Sequence, residues 1–136
     1  MANQKRDKSL QLAIIDDDAA FRSVVHQIAE PFGWQISEFS NGRDLIAAIT
    51  GSLRTDLIVL DMVMPEFDGI ETIGGIGALS FRCPIILISG RLPIYMATAC
   101  ELGQAVDVEI IDILQKPVSL KRLGAALNPE LLIGRR

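Results

Sequence analysis

Four aspartates, a serine and a lysine stand where short apolar runs end. Asp16, Asp17 and Asp18 follow Leu-Ala-Ile-Ile, and Asp61 follows Leu-Ile-Val-Leu. Ser89 follows Ile-Ile-Leu-Ile, and Lys116 follows Ile-Leu-Gln. Gathered in one place, Asp16, Asp17 and Asp61 would repel one another and raise one another's pKa, a conflict that a hard divalent cation removes. Mg²⁺ takes a few carboxylates, keeps some of its waters and binds a phosphate oxygen. A lysine opposite the cation holds a second phosphoryl oxygen as a point charge, and a hydroxyl such as Ser89 hydrogen-bonds a third. Positioning and charge neutralisation supply most of the catalysis of phosphoryl transfer. Asp61 suits the nucleophile, because carboxylates form acyl phosphates.

The gathering depends on the elements between these residues. Apolar runs at 10–15, 34–39, 57–60, 85–88 and 110–114 have strand length, and longer stretches with helical signals separate them. Such alternation predicts an α/β domain with a parallel sheet. Ile14-Ile15 of the first run and all of the third and fourth are continuously apolar, as strands covered on both faces should be. The second alternates and Asp112 interrupts the fifth, so these two read as edges. The expected fold is a flavodoxin-like (βα)5 three-layer sandwich with strand order 2-1-3-4-5. Ligands of such sheets sit beyond the strands' carboxyl ends, where the order reverses.

The helices are marked unevenly. In the first, Phe21, Val24, Val25, Ile28, Ala29 and Phe32 form a 3.6-residue stripe, with Asp18 as N-cap rather than metal ligand and Pro31 near its end. The second is expected to start at Asn41, bury Leu45, Ala48 and Ile49, and stop at Gly51. The third, over 66–79, is intrinsically poor, because Gly74, Gly75 and Gly77 each cost about 1 kcal/mol relative to alanine. Asp68 and Gly69 read as turn and cap residues. The fourth begins near Pro93; the last carries Leu120, Leu123 and Leu127. His26, off the stripe, reads as a surface residue, and Cys83 and Cys100 as small buried hydrophobes. Arg91 reads equally well as shaping access to the site or as merely solvated.

The segments Ile15-Asp16-Asp17-Asp18, Leu60-Asp61-Met62-Val63-Met64-Pro65, Asp68-Gly69, Ile88-Ser89-Gly90 and Lys116-Pro117, in this order, resemble the receiver domain of two-component response regulators. The resemblance runs from about residue 10 to 127. It implies that Asp61 is the phosphoacceptor, and that Asp17, Asp61 and the backbone carbonyl of Val63 bind Mg²⁺, with Asp16 acting through a metal-bound water. It further implies that Lys116 contacts the phosphoryl group, that Ser89 is the switch hydroxyl with Gly90 beside it, and that the Lys116-Pro117 bond is cis. The implied donor is a phosphohistidine on a sensor histidine kinase or histidine phosphotransfer protein. The implied role is that of a phosphorelay switch, not an enzyme.

Two departures accompany it. The stretch from Ser89 to Lys116 is about five residues longer than usual, with the excess expected in 104–109. Ile113 also stands where a switch aromatic is usual, so any switch must use aliphatic repacking or motion of the fourth helix. That helix is unusually apolar (Leu92, Ile94, Tyr95, Met96, Ala97, Cys100, Leu102). The surface of helix four, strand five and helix five is therefore the expected face for a downstream target or a homodimer. Alternatives are a phosphate sink, a relay intermediate or a constitutive interaction module. A flavodoxin is disfavoured, because Asp16-Asp17-Asp18 would repel an FMN phosphate.

Length and composition set the remaining bounds. The chain has 136 residues, 49% of them apolar and 22% charged, with a net charge of −4. These suit one domain with a proper core and argue against a nucleic-acid partner, which needs a basic face. The expected organisation is a flexible polar arm at 1–9 carrying Lys5, Arg6 and Lys8, a receiver domain at 10–128 and a short tail at 129–136, hence a single-domain regulator. Two cysteines without a signal sequence, and no apolar run of membrane-spanning length, predict a cytoplasmic protein without membrane contact.

Overall fold

The computed structural model describes residues 9–64, 67–90 and 93–132, with the side chains of 93–95 excepted. Five parallel strands form one sheet: β1 (Gln11–Ile15), β2 (Gln35–Phe39), β3 (Leu57–Asp61), β4 (Ile85–Ser89) and β5 (Ile110–Gln115). Their order is 2-1-3-4-5, as expected. Five helices connect or follow them: α1 (Ala19–Ala29), α2 (Gly42–Thr50), α3 (Gly69–Ala78), α4 (Pro93–Ala105) and α5 (Leu120–Ala126).

Every residue of β3 and β4 is buried, whereas β2 has none that is fully buried and β5 only Leu114. This is the pattern that layered burial imposes on central and edge strands. Alternation then sends side chains to two separate cores. Leu12, Ile14, Val59 and Ile86 pack with Val25 and Ala29 of α1 and Leu123 of α5. Ala13, Ile15, Ile58, Leu60 and Leu87 pack with Leu45 of α2, Ile73 and Ile76 of α3, and Ala99 of α4. Each such aliphatic side chain removed from water contributes about 1.5–3 kcal/mol.

Side-chain caps start the first two helices where the sequence placed them, and the third three residues later than expected. Asp18 accepts hydrogen bonds from the Ala20 and Phe21 N–H groups, and Asn41 accepts one from Asp44 N–H at 2.8 Å. Asp68 and Glu71 form a reciprocal capping box, so α3 begins at Gly69. Glu66, its expected first residue, lies outside the described residues, as do Pro65, Arg91 and Leu92. The helical stripe on α1 is narrower than expected: Val24 and Phe32 are exposed. In α2, Leu45 is buried while Ala48 and Ile49 are half-buried.

The long connection before β5 is built as a longer α4 followed by a turn at Asp107, whose φ is +62°. In β5, Ile85 pairs with Ile110 and Ile86 with Asp112, so Ile111 is a bulge. Residues 129–132, expected as the start of a tail, form a 3-10 turn (Pro129–Leu132) whose Leu132 is buried in the first core. The arm at 1–8, with Lys5, Arg6 and Lys8, and residues 133–136 lie outside the described residues.

The glycines of α3 divide by environment. A Cβ on Gly77 would sit 2.5 Å from Val106 Cβ, so the absent side chain lets the segment before β5 pack closely; a Cβ on Gly74 would meet nothing within 4 Å. Gly74→Ala is therefore expected to stabilise the fold by about 0.5–1 kcal/mol, and Gly77→Ala to destabilise it by about 1–3 kcal/mol through overpacking. Urea unfolding checks both; a stabilising Gly77→Ala refutes the packing argument.

Candidate functional site

The sheet order reverses between β1 and β3, and the ends of these strands bring acidic side chains together. Asp16 follows β1, and its N–H donates to the Phe39 carbonyl of β2. Asp61 ends β3, with its Oδ1 accepting from Val63 N–H at 3.3 Å. Among the described residues, Asp16, Asp17 and Asp61 form one metal-capable group, with ligand oxygens within 4.8 Å of one another. Asp16 and Asp61 are buried and Asp17 is exposed. Asp18 is spent on capping α1 and lies outside the group.

Lys116 approaches from the far side. The last turn of ladder, from Lys116 N–H to the Ser89 carbonyl at 2.9 Å, carries it past the end of β5. Its Nζ lies 3.2 Å from Asp16 Oδ2 and 3.9 Å from Asp61 Oδ2. The peptide bond after it, to Pro117, is cis. Ser89 is buried at the end of β4, one residue beyond Ile88, which pairs with Asp61.

The electrostatics are uneven. Burial pushes the Asp61 carboxyl up to about 6 from 3.8, and the negative charge of Asp16 pushes the same way, with a smaller push from Asp17. Lys116 and the Val63 N–H act against them but do not cancel them. The corner is therefore short of positive charge, and its donors are hard oxygens. Both properties fit a small divalent cation such as Mg²⁺.

Two contacts were not legible beforehand. Phe21, read as a core residue, lies under Lys116, with Nζ 4.5 Å from the ring centroid. The pointer to it was Asp18: a cap at the rim places the first turn of α1, and hence Phe21, at the rim as well. Arg43 sits over the Phe67 ring at 5.2 Å. Together with Asp17, Ser40, Asn41, Asp44 and Met64 they line a cavity of about 290 Å³ beside the acidic group. Of the remaining candidates, His26 bonds Glu38 on the surface, Cys83 is buried with its thiol pushed up to about 12 by burial, and Cys100 is half-buried.

Known proteins agree with this geometry. The profile of the response regulator receiver domain matches residues 12–128, and the chain belongs to that family. Such domains are signalling modules of two-component phosphorelays, and they bind Mg²⁺ at an acidic pocket. The chain is similar to the transcriptional regulatory protein FixJ of Bradyrhizobium diazoefficiens, at 29% identity over 115 residues, covering 85% of this chain and 53% of FixJ. A protein-glutamate methylesterase/protein-glutamine glutaminase of Nocardioides sp. is 28% identical over 126 residues, 88% of this chain and 32% of its own. The chain thus spans about half or a third of these relatives. A solved response regulator from Colwellia psychrerythraea is 28% identical with a TM-score of 0.78, over 95% of this chain and 100% of that one. No described helix is long and apolar enough to cross a membrane.

The raised Asp61 carboxyl has a measurable consequence. The native state holds that proton more tightly than the unfolded chain, so metal-free stability falls as pH rises from about 3.8 to about 6. In EDTA at pH 7.5, Asp61→Asn is expected to be more stable than wild type by about 3 kcal/mol, shrinking towards zero near pH 4. Equal stability in urea at pH 7.5 refutes this account.

Proposed function

We propose that this receiver domain accepts a phosphoryl group on Asp61 and changes a protein-binding face in response. The observation that carries the proposal is the meeting of a buried Asp61 with Asp16, Asp17 and Lys116 at one sheet corner. Asp17, Asp61 and the Val63 carbonyl would hold Mg²⁺ directly, and Asp16 would act through a metal-bound water. When bound, Mg²⁺ neutralises charge on the phosphoryl oxygens.

The donor is a phosphohistidine on a sensor kinase or phosphotransfer protein. An Asp61 carboxylate oxygen attacks phosphorus, and the P–N bond breaks with its electron pair left on the imidazole nitrogen. The product is an acyl phosphate. Lys116 exchanges its Asp16 contact for a phosphoryl oxygen, and the Ser89 hydroxyl donates to another. Acetyl phosphate with Mg²⁺ is expected to add one phosphoryl mass to wild type and none to Asp61→Ala. An increment that persists in the variant overturns the assignment.

The responding face is α4, β5 and α5. There Ile113 is 41% exposed and Leu120 63% exposed, and Arg122 clamps Asp112 through two bonds of 3.0 and 2.6 Å. The occupant of this face is a downstream protein or a second copy. With Ile113 in place of a ring, the change runs through aliphatic repacking or through α4. Hydrogen exchange over 93–126 is expected to change on phosphorylation. Phosphorylated protein with unaltered exchange there favours the alternative, a sink, relay or constitutive module.

A further inference from the structure

Asp16 is held at each of its polar groups. Its N–H reaches the Phe39 carbonyl at 3.1 Å, Oδ1 accepts from Asp18 N–H at 2.8 Å, and Oδ2 faces Lys116. The remaining group, its carbonyl, accepts a hydrogen bond from Arg22 Nη1. That carbonyl belongs to the peptide unit that leads into Asp17. Its direction fixes the plane from which the Asp17 carboxylate must reach the other two. Asp17 is the exposed member of the group, and among the described residues no hydrogen bond holds its side chain, so this peptide plane restrains it.

Arg22 is itself held. Its Nε lies 3.2 Å from Glu38 Oε1 in β2, and the second oxygen, Oε2, lies 2.8 Å from His26 Nδ1. The Arg22 side chain is 17% exposed and that of Glu38 34%. A guanidinium suits this task because its planar fork makes two bonds in fixed directions, which an ammonium does not. A bare cation here would also repel a divalent ion nearby. Glu38 offsets that charge, so the carbonyl is gripped at little electrostatic cost to metal binding.

We propose that Arg22, oriented by Glu38, is a positioning residue that sets Asp17 for the divalent cation. The inference rests on the Mg²⁺ site described above, and its test separates the two. Mg²⁺ alone is titrated calorimetrically into the full chain, with thermal melts run beside it. Coulomb's law by itself predicts that removing a nearby positive charge tightens Mg²⁺ binding. Positioning predicts the reverse: Arg22→Met weakens binding by about tenfold, in the range seen for partners that orient metal ligands. Glu38→Gln weakens binding in wild type and adds almost nothing to Arg22→Met, because it acts through the guanidinium.

Arg22→Lys keeps the charge and covers the case in which Arg22→Met fails to fold. It is expected to melt near wild type yet bind Mg²⁺ about threefold more weakly, since donors on a single nitrogen cannot span both partners. Wild-type or tighter binding by a folded Arg22 variant overturns the inference while leaving the site standing. A Glu38→Gln effect of equal size in both backgrounds overturns the coupling. A wild-type chain that binds no Mg²⁺ overturns the site reading and this inference with it.

Discussion

Three carboxylates converge at one corner of the sheet, and much of the structure answers that repulsion. Parallel order with a reversal between β1 and β3 leaves a crevice at the carboxyl ends of these strands, and no neighbouring crossover fills it. Asp61 lies in it, buried enough to raise its pKa to about 6. Lys116 is delivered from two strands away by the β4–β5 ladder. It supplies charge without occupying the space between the acids. Its contact with the Phe21 ring gives the ammonium a third favourable neighbour besides Asp16 and Asp61. The acids are thus kept close and only partly neutralised, a state that favours an incoming cation over a settled ion pair.

The surrounding packing keeps that corner in register. Gly69 opens α3 against the backbone that follows Asp61: a Cβ there would lie 2.8 Å from Met62 Cα. Its N–H bonds the Met62 carbonyl at 3.0 Å. The capping box at Asp68 and Glu71 fixes the same helix end. The loop carrying Val63 is therefore bounded by a strand on one side and a capped helix on the other.

Much of this was legible in the sequence. Continuous apolar runs identified the inner strands, because two-sided burial leaves no room for alternation. The polar residues after those runs meet at one corner, because parallel strands end at one rim. Helix starts were legible at Asp18, Asn41 and Asp68, where a side-chain oxygen replaces a missing backbone partner. Other features were not. A 3.6-residue stripe reports a direction around the helix axis, not height along it, so Phe21 and Phe32 were grouped with Val25. One end of α1 faces the rim and the other the solvent. Leu120 likewise opens α5 and is exposed despite its spacing to Leu123. The bulge at Ile111 depends on how β5 pairs with β4, a long-range property that no local pattern encodes. Arg22 and Glu38, sixteen positions apart, meet only once β2 lies beside β1.

The sheet also acts as a wall between two apolar compartments that, among the described residues, share no buried side chain. One holds α1 and α5, the other α2, α3 and α4. Packing changes propagate through contact and fade where contacts end, so substitutions in the two compartments are close to additive. What crosses the wall is the rim: Asp16, Asp61 and Lys116 belong to the strand ends rather than to either core. Repacking confined to one compartment therefore leaves the strand-end acids and Lys116 in place.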